Sequence, residues 1–157
     1  MNNASKISRG HKFSIGGAAL AVLCFFLPWV LASCEGEQAN ISGWQFTFGK
    51  DLGSGYYTQH IAGKPVLILI LLAALAVFVL VYLAWKRGSL TTLDAYGPIG
   101  LSALALIILL VQFSGFKDQA AQQSVTIEYQ FGLYGVVIGY LIVIVGGVLN
   151  LPKKPKV

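Results

Sequence analysis

The sequence predicts an all-α membrane protein with a small β element: a four-helix transmembrane bundle bearing a small antiparallel sheet on its outer side. Three observations predict it. Hydrophobic residues make up 56% of the 157 residues and charged residues only 11%, and the mean hydropathy is +0.72. Soluble domains carry about 25% charge, so this chain lacks the polar groups to coat a soluble surface. Four stretches approach the roughly 20 apolar residues that a span requires. Between them, two segments alternate apolar and polar residues with the period of a strand. This pattern excludes a cytosolic enzyme, a soluble DNA-binding domain and a disordered regulator. The whole chain, 1–157, reads as a single four-span membrane domain.

The spans are expected at 13–33, 65–85, 98–116 and 131–151, and none contains Asp, Glu, Lys, Arg or His. Pro65 and Pro98 are expected to open their helices, where a missing N–H costs nothing. Trp85, followed by Lys86 and Arg87, reads as an interfacial anchor.

The net charge of +5 does not point to nucleic acid, because the basic residues flank the spans. Lys6, Arg9, Lys12, Lys86, Arg87, Lys153, Lys154 and Lys156 fall on one side, leaving Lys50, Lys64 and Lys117 on the other. The positive-inside rule then puts both termini in the cytoplasm of a multi-pass protein of the plasma or inner membrane. The inner loop is 86–97, and the outer segments are 34–64 and 117–130. Anionic lipid headgroups are a secondary partner for the basic flanks.

Each outer segment carries a strand signal. In SVTIEYQF, residues Val125, Ile127, Tyr129 and Phe131 alternate with Thr126, Glu128 and Gln130. ISGWQFTFG alternates in the same way, with Trp44, Phe46 and Phe48 on one predicted face. Those three aromatics either pack on the bundle, dip into headgroups or offer a partner-binding surface. The Gly-rich GKDLGSGYYTQH reads as a turn and return strand. A phosphate-loop reading fails for want of a following GK[ST].

Gly135 and Gly139 form a GxxxG pattern in the fourth span, with Gly132 and Gly146 on roughly the same stripe. Such stripes allow close helix approach, either within the bundle (Gly16, Gly17, Ala73, Ala74 and Ala76 are the expected counterparts) or against another subunit. Gln112, the one strongly polar side chain well inside a span, is the candidate for a lipid or small apolar ligand site. Cys34 ends LASC, which is similar to a lipobox, so lipidation competes with a plain interfacial cysteine and with a redox role. Cys24 reads as a small apolar filler. Of the two histidines, His11 is expected in the solvated leader. No ligand spacing supports a metal at His60 with Glu35, Glu37 or Asp51. No catalytic constellation is present, and neither cofactor nor metal is expected.

The order of parts resembles the claudin and peripheral-myelin-protein group. Leu27-Pro28-Trp29 stands at the outer end of the first span, as a Leu-Pro with a nearby Trp does in claudins, and Ser42-Gly43-Trp44 is similar to their Gly-Leu-Trp stretch. The resemblance implies that a long first outer loop builds most of a sheet and a short second loop adds a strand. The chain departs from claudins in lacking the cysteine pair after that Trp, since Cys34 precedes it. The spacing of Pro-Trp, Ser-Cys and Ser-Gly is also similar to that of small prokaryotic four-span proteins. The expected function is non-catalytic: an assembly, adhesion or accessory subunit forming a homo-oligomer or part of a larger membrane complex.

Overall fold

The computed structural model describes residues 9–34, 37–52, 59–87, 92–114 and 126–151. Their order is α1 (Arg9–Phe26), β1 (Pro28–Cys34), β2 (Glu37–Ser42), α2 (Gly43–Phe48), β3 (Lys50–Leu52), β4 (Gln59–Ile61), a 3-10 turn (Pro65–Leu67), α3 (Ile68–Arg87), α4 (Thr92–Phe113), β5 (Thr126–Tyr129) and α5 (Phe131–Leu149). Three helical segments, Pro65–Arg87, Thr92–Phe113 and Phe131–Leu149, are long and apolar enough to cross a membrane. They mark the chain as a membrane protein.

The long helices form a closed ring, with α1 against α3 and α5 and α4 against the same two. Small residues set its tightest seam. Along α1, Gly10, Ser14, Gly17, Ala21 and Cys24 face α5, where Gly132, Gly135, Gly139 and Gly146 receive them. The pairing runs antiparallel: Gly10 lies by Asn150, Gly17 by Gly139, Cys24 by Gly135 and Pro28 by Gly132. A Cβ on Gly139 would stand 2.7 Å from the carbonyl oxygen of Gly17. The two backbones therefore meet directly, as small-residue stripes permit. Inside the ring, the hydroxyl of Tyr140 donates to the carbonyl of Ile70, tying α5 to α3.

One end of the ring carries a three-stranded antiparallel sheet of order β2-β1-β5. Its central strand corrects the predicted first span. Residues 28–33, expected as the end of a helix at 13–33, form β1 instead. Pro28 has no N–H to continue the helix and holds the residue before it away from helical geometry. Trp29, Val30 and Ala32 are buried and Leu31 is half-buried, so by composition the run mimics a span. β5 keeps the predicted alternation, with Thr126 and Glu128 exposed and Ile127 and Tyr129 half-buried.

Three further expectations are corrected. Residues 43–48 are helical, not a strand. Ser42 caps α2 by accepting the N–H of Gln45, whose side chain accepts the N–H of Ser42 in return. This capping box starts a helix where the aromatic spacing suggested β. Gly49 ends α2 at φ 86°, a conformation that favours glycine. Pro98 does not open the third long helix. It lies inside α4, which begins at Thr92, while α3 runs to Arg87. Finally, β3 and β4 pair antiparallel in a separate hairpin, Lys50 opposite Ile61 and Leu52 opposite Gln59. Residues 53–58, including Gly53 and Gly55, lie outside the described residues.

Candidate functional site

The cap at the sheet-bearing end of the ring is built on Trp29. Pro28 leaves the carbonyl of Cys24 without the N–H that a continuing helix would supply. The indole Nε1–H of Trp29 donates to it at 2.9 Å, and the N–H of Leu27 adds a 3.3 Å contact. The Trp29 ring packs edge-on against Phe25 and beside Phe113. Its other neighbour is bare backbone, since a Cβ on Gly43 would stand 2.5 Å from Cζ2 of the indole. The LPW and SGW segments thus meet as a single packing unit. Phe113 extends it to Phe46 and Tyr129. The N–H of Lys64 donates to the Phe46 carbonyl at 2.7 Å, closing the first outer segment back onto α2.

The sheet above this unit has two chemically distinct faces. Val30 stands opposite both Ile41 and Tyr129, and Ala32 opposite both Ala39 and Ile127. These apolar rows cover the helix ends. On the other face, Leu31 stands between Asn40 and Glu128, and Ser33 between Gln38 and Thr126. Gln38, Asn40, Thr126 and Glu128 are exposed there. One face packed and one face polar is the expected division for such a sheet. This outward polar surface was missed in the sequence, although EQANIS alternates Gln38 and Asn40 with Ala39 and Ile41.

The predicted aromatic stripe is divided. Phe46 is 2% exposed and belongs to the core, while Trp44 and Phe48 are 43% and 60% exposed on the opposite side of α2. Trp44 and Phe48 stack with centroids 4.5 Å apart, and Phe26 at the end of α1 lies 5.8 Å from Trp44. Gly135 and Gly139 face α1 within the chain, Gly135 against Cys24 and Gly139 against Gly17 and Ala21. Gly17 is one of their expected counterparts. Gly16 has open space beside it.

Gln112 is half-buried near the end of α4, and its backbone carbonyl accepts from Lys64 Nζ at 3.3 Å. Cys34 is the last residue of β1, opposite Glu37. Cleavage before it would remove α1 and the rest of the central strand. The His60 side chain lies outside the described residues. Among the described residues, no three His, Cys, Asp or Glu side chains converge as a metal site.

The opposite end of the ring holds ionisable groups, of which His11 was expected in solvent. His11 is 6% exposed in α1 and Asp94 is 2% exposed in the first turn of α4. Asp94 Oδ1 accepts from Arg87 at 2.7 Å, clasping the ends of α3 and α4. Asn150 is buried beside Gly10. His11 precedes the apolar stretch that begins at Phe13. Burial pushes its imidazole below the ordinary value, and the nearby Asp94 charge opposes that shift. These groups come from the ends of all four long helices, so no local motif announces them. Comparison of the chain with protein-family models, curated proteins and solved structures returned no match.

Proposed function

We propose that the chain is a four-span, non-catalytic integral membrane protein with both termini in the cytoplasm. It acts through protein–protein contacts made by the outward face of its sheet, as an assembly, adhesion or accessory subunit. One observation carries the reading: the surface of Gln38, Asn40, Leu31, Ser33, Thr126 and Glu128 is held by a sheet rooted in the helix ends. A polar surface on a supported sheet can be recognised without first being ordered, which lowers the cost of binding.

The membrane placement has its own support. Antiparallel to α5, α1 packs into one ring with the three apolar helices and is read as the fourth span. Exposed aromatics ring both ends, Phe26, Phe131 and Tyr134 near the cap and Tyr82, Trp85 and Tyr96 at the far end. Such belts sit at membrane–water boundaries. The basic flanks assign the far end to the cytoplasm. The small-residue faces of α1 and α5 are occupied by each other, which leaves the cap as the surface for partners. The likeness to claudins stays at the level of layout and names no partner.

A photo-crosslinking residue at Glu128, in intact cells, tests this. The expected result is a discrete adduct of fixed mass, absent when the same residue replaces lipid-facing Leu110. Only diffuse or lipid adducts at Glu128 would overturn it.

A further inference from the structure

The outer sheet does not account for the exposed aromatic side of α2. We propose that the Trp44–Phe48 face of α2 is a membrane-surface anchor, seated at the acyl-chain boundary of the outer leaflet beside the end of α1. This rests on the membrane placement above and is independent of the partner role of the sheet.

Gly43, Phe46 and Thr47 are buried against the bundle, and Trp44 and Phe48 emerge on the other side. Among the described residues, the polar side chains of α2 and Lys50 are engaged. Gln45 is held in the capping box, the Thr47 hydroxyl donates to the Gly43 carbonyl at 2.9 Å, and Lys50 Nζ reaches back to the Asn40 carbonyl at 3.2 Å. A short helix with an unpartnered aromatic side beside a span is suited to the bilayer boundary, where aromatic rings concentrate.

Length supplies the second argument. The charged Arg9 and Lys12 occupy the first turn of α1, so its apolar stretch is Phe13 to Phe26. At 1.5 Å per residue this is about 21 Å long, against a hydrocarbon core about 30 Å thick. The first span is therefore short on its own. Leu23, Phe26 and Leu27 are exposed along the end of α1, and the rings of Trp44 and Phe48 continue that surface in unbroken contact. The aromatic side of α2 thus completes the apolar height that α1 lacks. The occupant is lipid because this surface is continuous with the lipid-facing side of a span and its exposed side chains in α2, Trp44 and Phe48, are apolar rings.

Tryptophan emission from the full chain in phosphatidylcholine vesicles tests the proposal. The Trp44 component is the part of the emission lost in Trp44→Phe, so Trp29 need not be replaced. Lipids brominated at shallow acyl carbons are expected to remove about half of that component, with aqueous iodide having little effect. Quenching by iodide, or by neither reagent, would overturn the proposal, the second outcome meaning that protein covers the ring. The component lost in Trp85→Phe reads the other boundary. If brominated lipid quenches neither tryptophan, the membrane placement itself fails; if only Trp85 is quenched, the anchor alone fails. Should Trp44→Phe misfold, Phe48→Ser keeps the test, because the anchor predicts a red shift of Trp44 as its ring partner is lost to a polar group.

Discussion

The indole N–H of Trp29 donates to the carbonyl of Cys24 at 2.9 Å, and Cys24 is the acceptor that Pro28 cannot reach. Proline ends the helix, and the next residue repairs the broken bond while leading the chain into the central strand. Trp29→Phe keeps most of the ring and removes the donor. The Leu27 N–H still donates to that carbonyl, so the loss is one hydrogen bond, about 0.5–1.5 kcal/mol. The expected result is a lower Tm in detergent with unchanged helix content. An unaltered Tm would show that the bond contributes nothing.

The seam between α1 and α5 predicts opposite outcomes at two glycines. Gly139 has no room for a side chain, and Gly16 faces open space. Gly139→Leu forces the backbones apart and is expected to cost at least the 1–3 kcal/mol typical of overpacking. Gly16→Ala is expected to be neutral or to stabilise by up to about 1 kcal/mol through helix propensity. Thermal unfolding of the two variants side by side reads the difference.

Stability should fall in acid through His11. Its imidazole lies below the ordinary value of 6.5 because burial disfavours the charged form, an effect only partly offset by Asp94. A histidine lowered in the folded chain contributes stability that is fully present above its unfolded value. That contribution is lost as the pH drops below 6.5 towards the folded value. Tm should therefore decline between about pH 7 and pH 5, and His11→Gln should flatten the decline. An equal slope in the variant would assign the effect to other groups.

Arg87 is the ionic partner of a nearly buried carboxylate. Arg87→Ala removes the guanidinium partner of Asp94. The cost should fall below the 3–5 kcal/mol of a fully buried pair, because the Arg87 side chain is itself 43% exposed; a loss of about 1–2 kcal/mol is expected. The double variant Arg87→Ala with Asp94→Asn should recover part of it. No recovery would mean that Arg87 acts through packing of its stem.

The parts legible in the sequence are those whose signal is local. The alternation of Thr126–Tyr129 places β5, the apolar runs place the three long helices, and the glycine stripe marks a seam. Residues 28–33 were misread because Trp29, Val30 and Ala32 are apolar to pack on the helix ends and Leu31 interrupts the alternation, so the run resembles a span by composition. Residues 43–48 were misread because Trp44 and Phe48, four apart, share a face at either period; the capping Ser42 with Gln45 was the deciding signal. Of the candidate site residues, Trp44 and Phe48 emerge at the surface and Phe46 does not. The cluster of His11, Arg87, Asp94 and Asn150 exists only once helices distant in sequence are brought together.

The central claim is that this protein works by contact through its cap. Native mass spectrometry of the tagged chain, extracted gently from its own membrane, tests it most directly. The account predicts a stoichiometric homo-oligomer or a fixed heteromer that dissociates in Glu128→Lys. A bare monomer carrying one defined lipid, unchanged by that substitution, would contradict it.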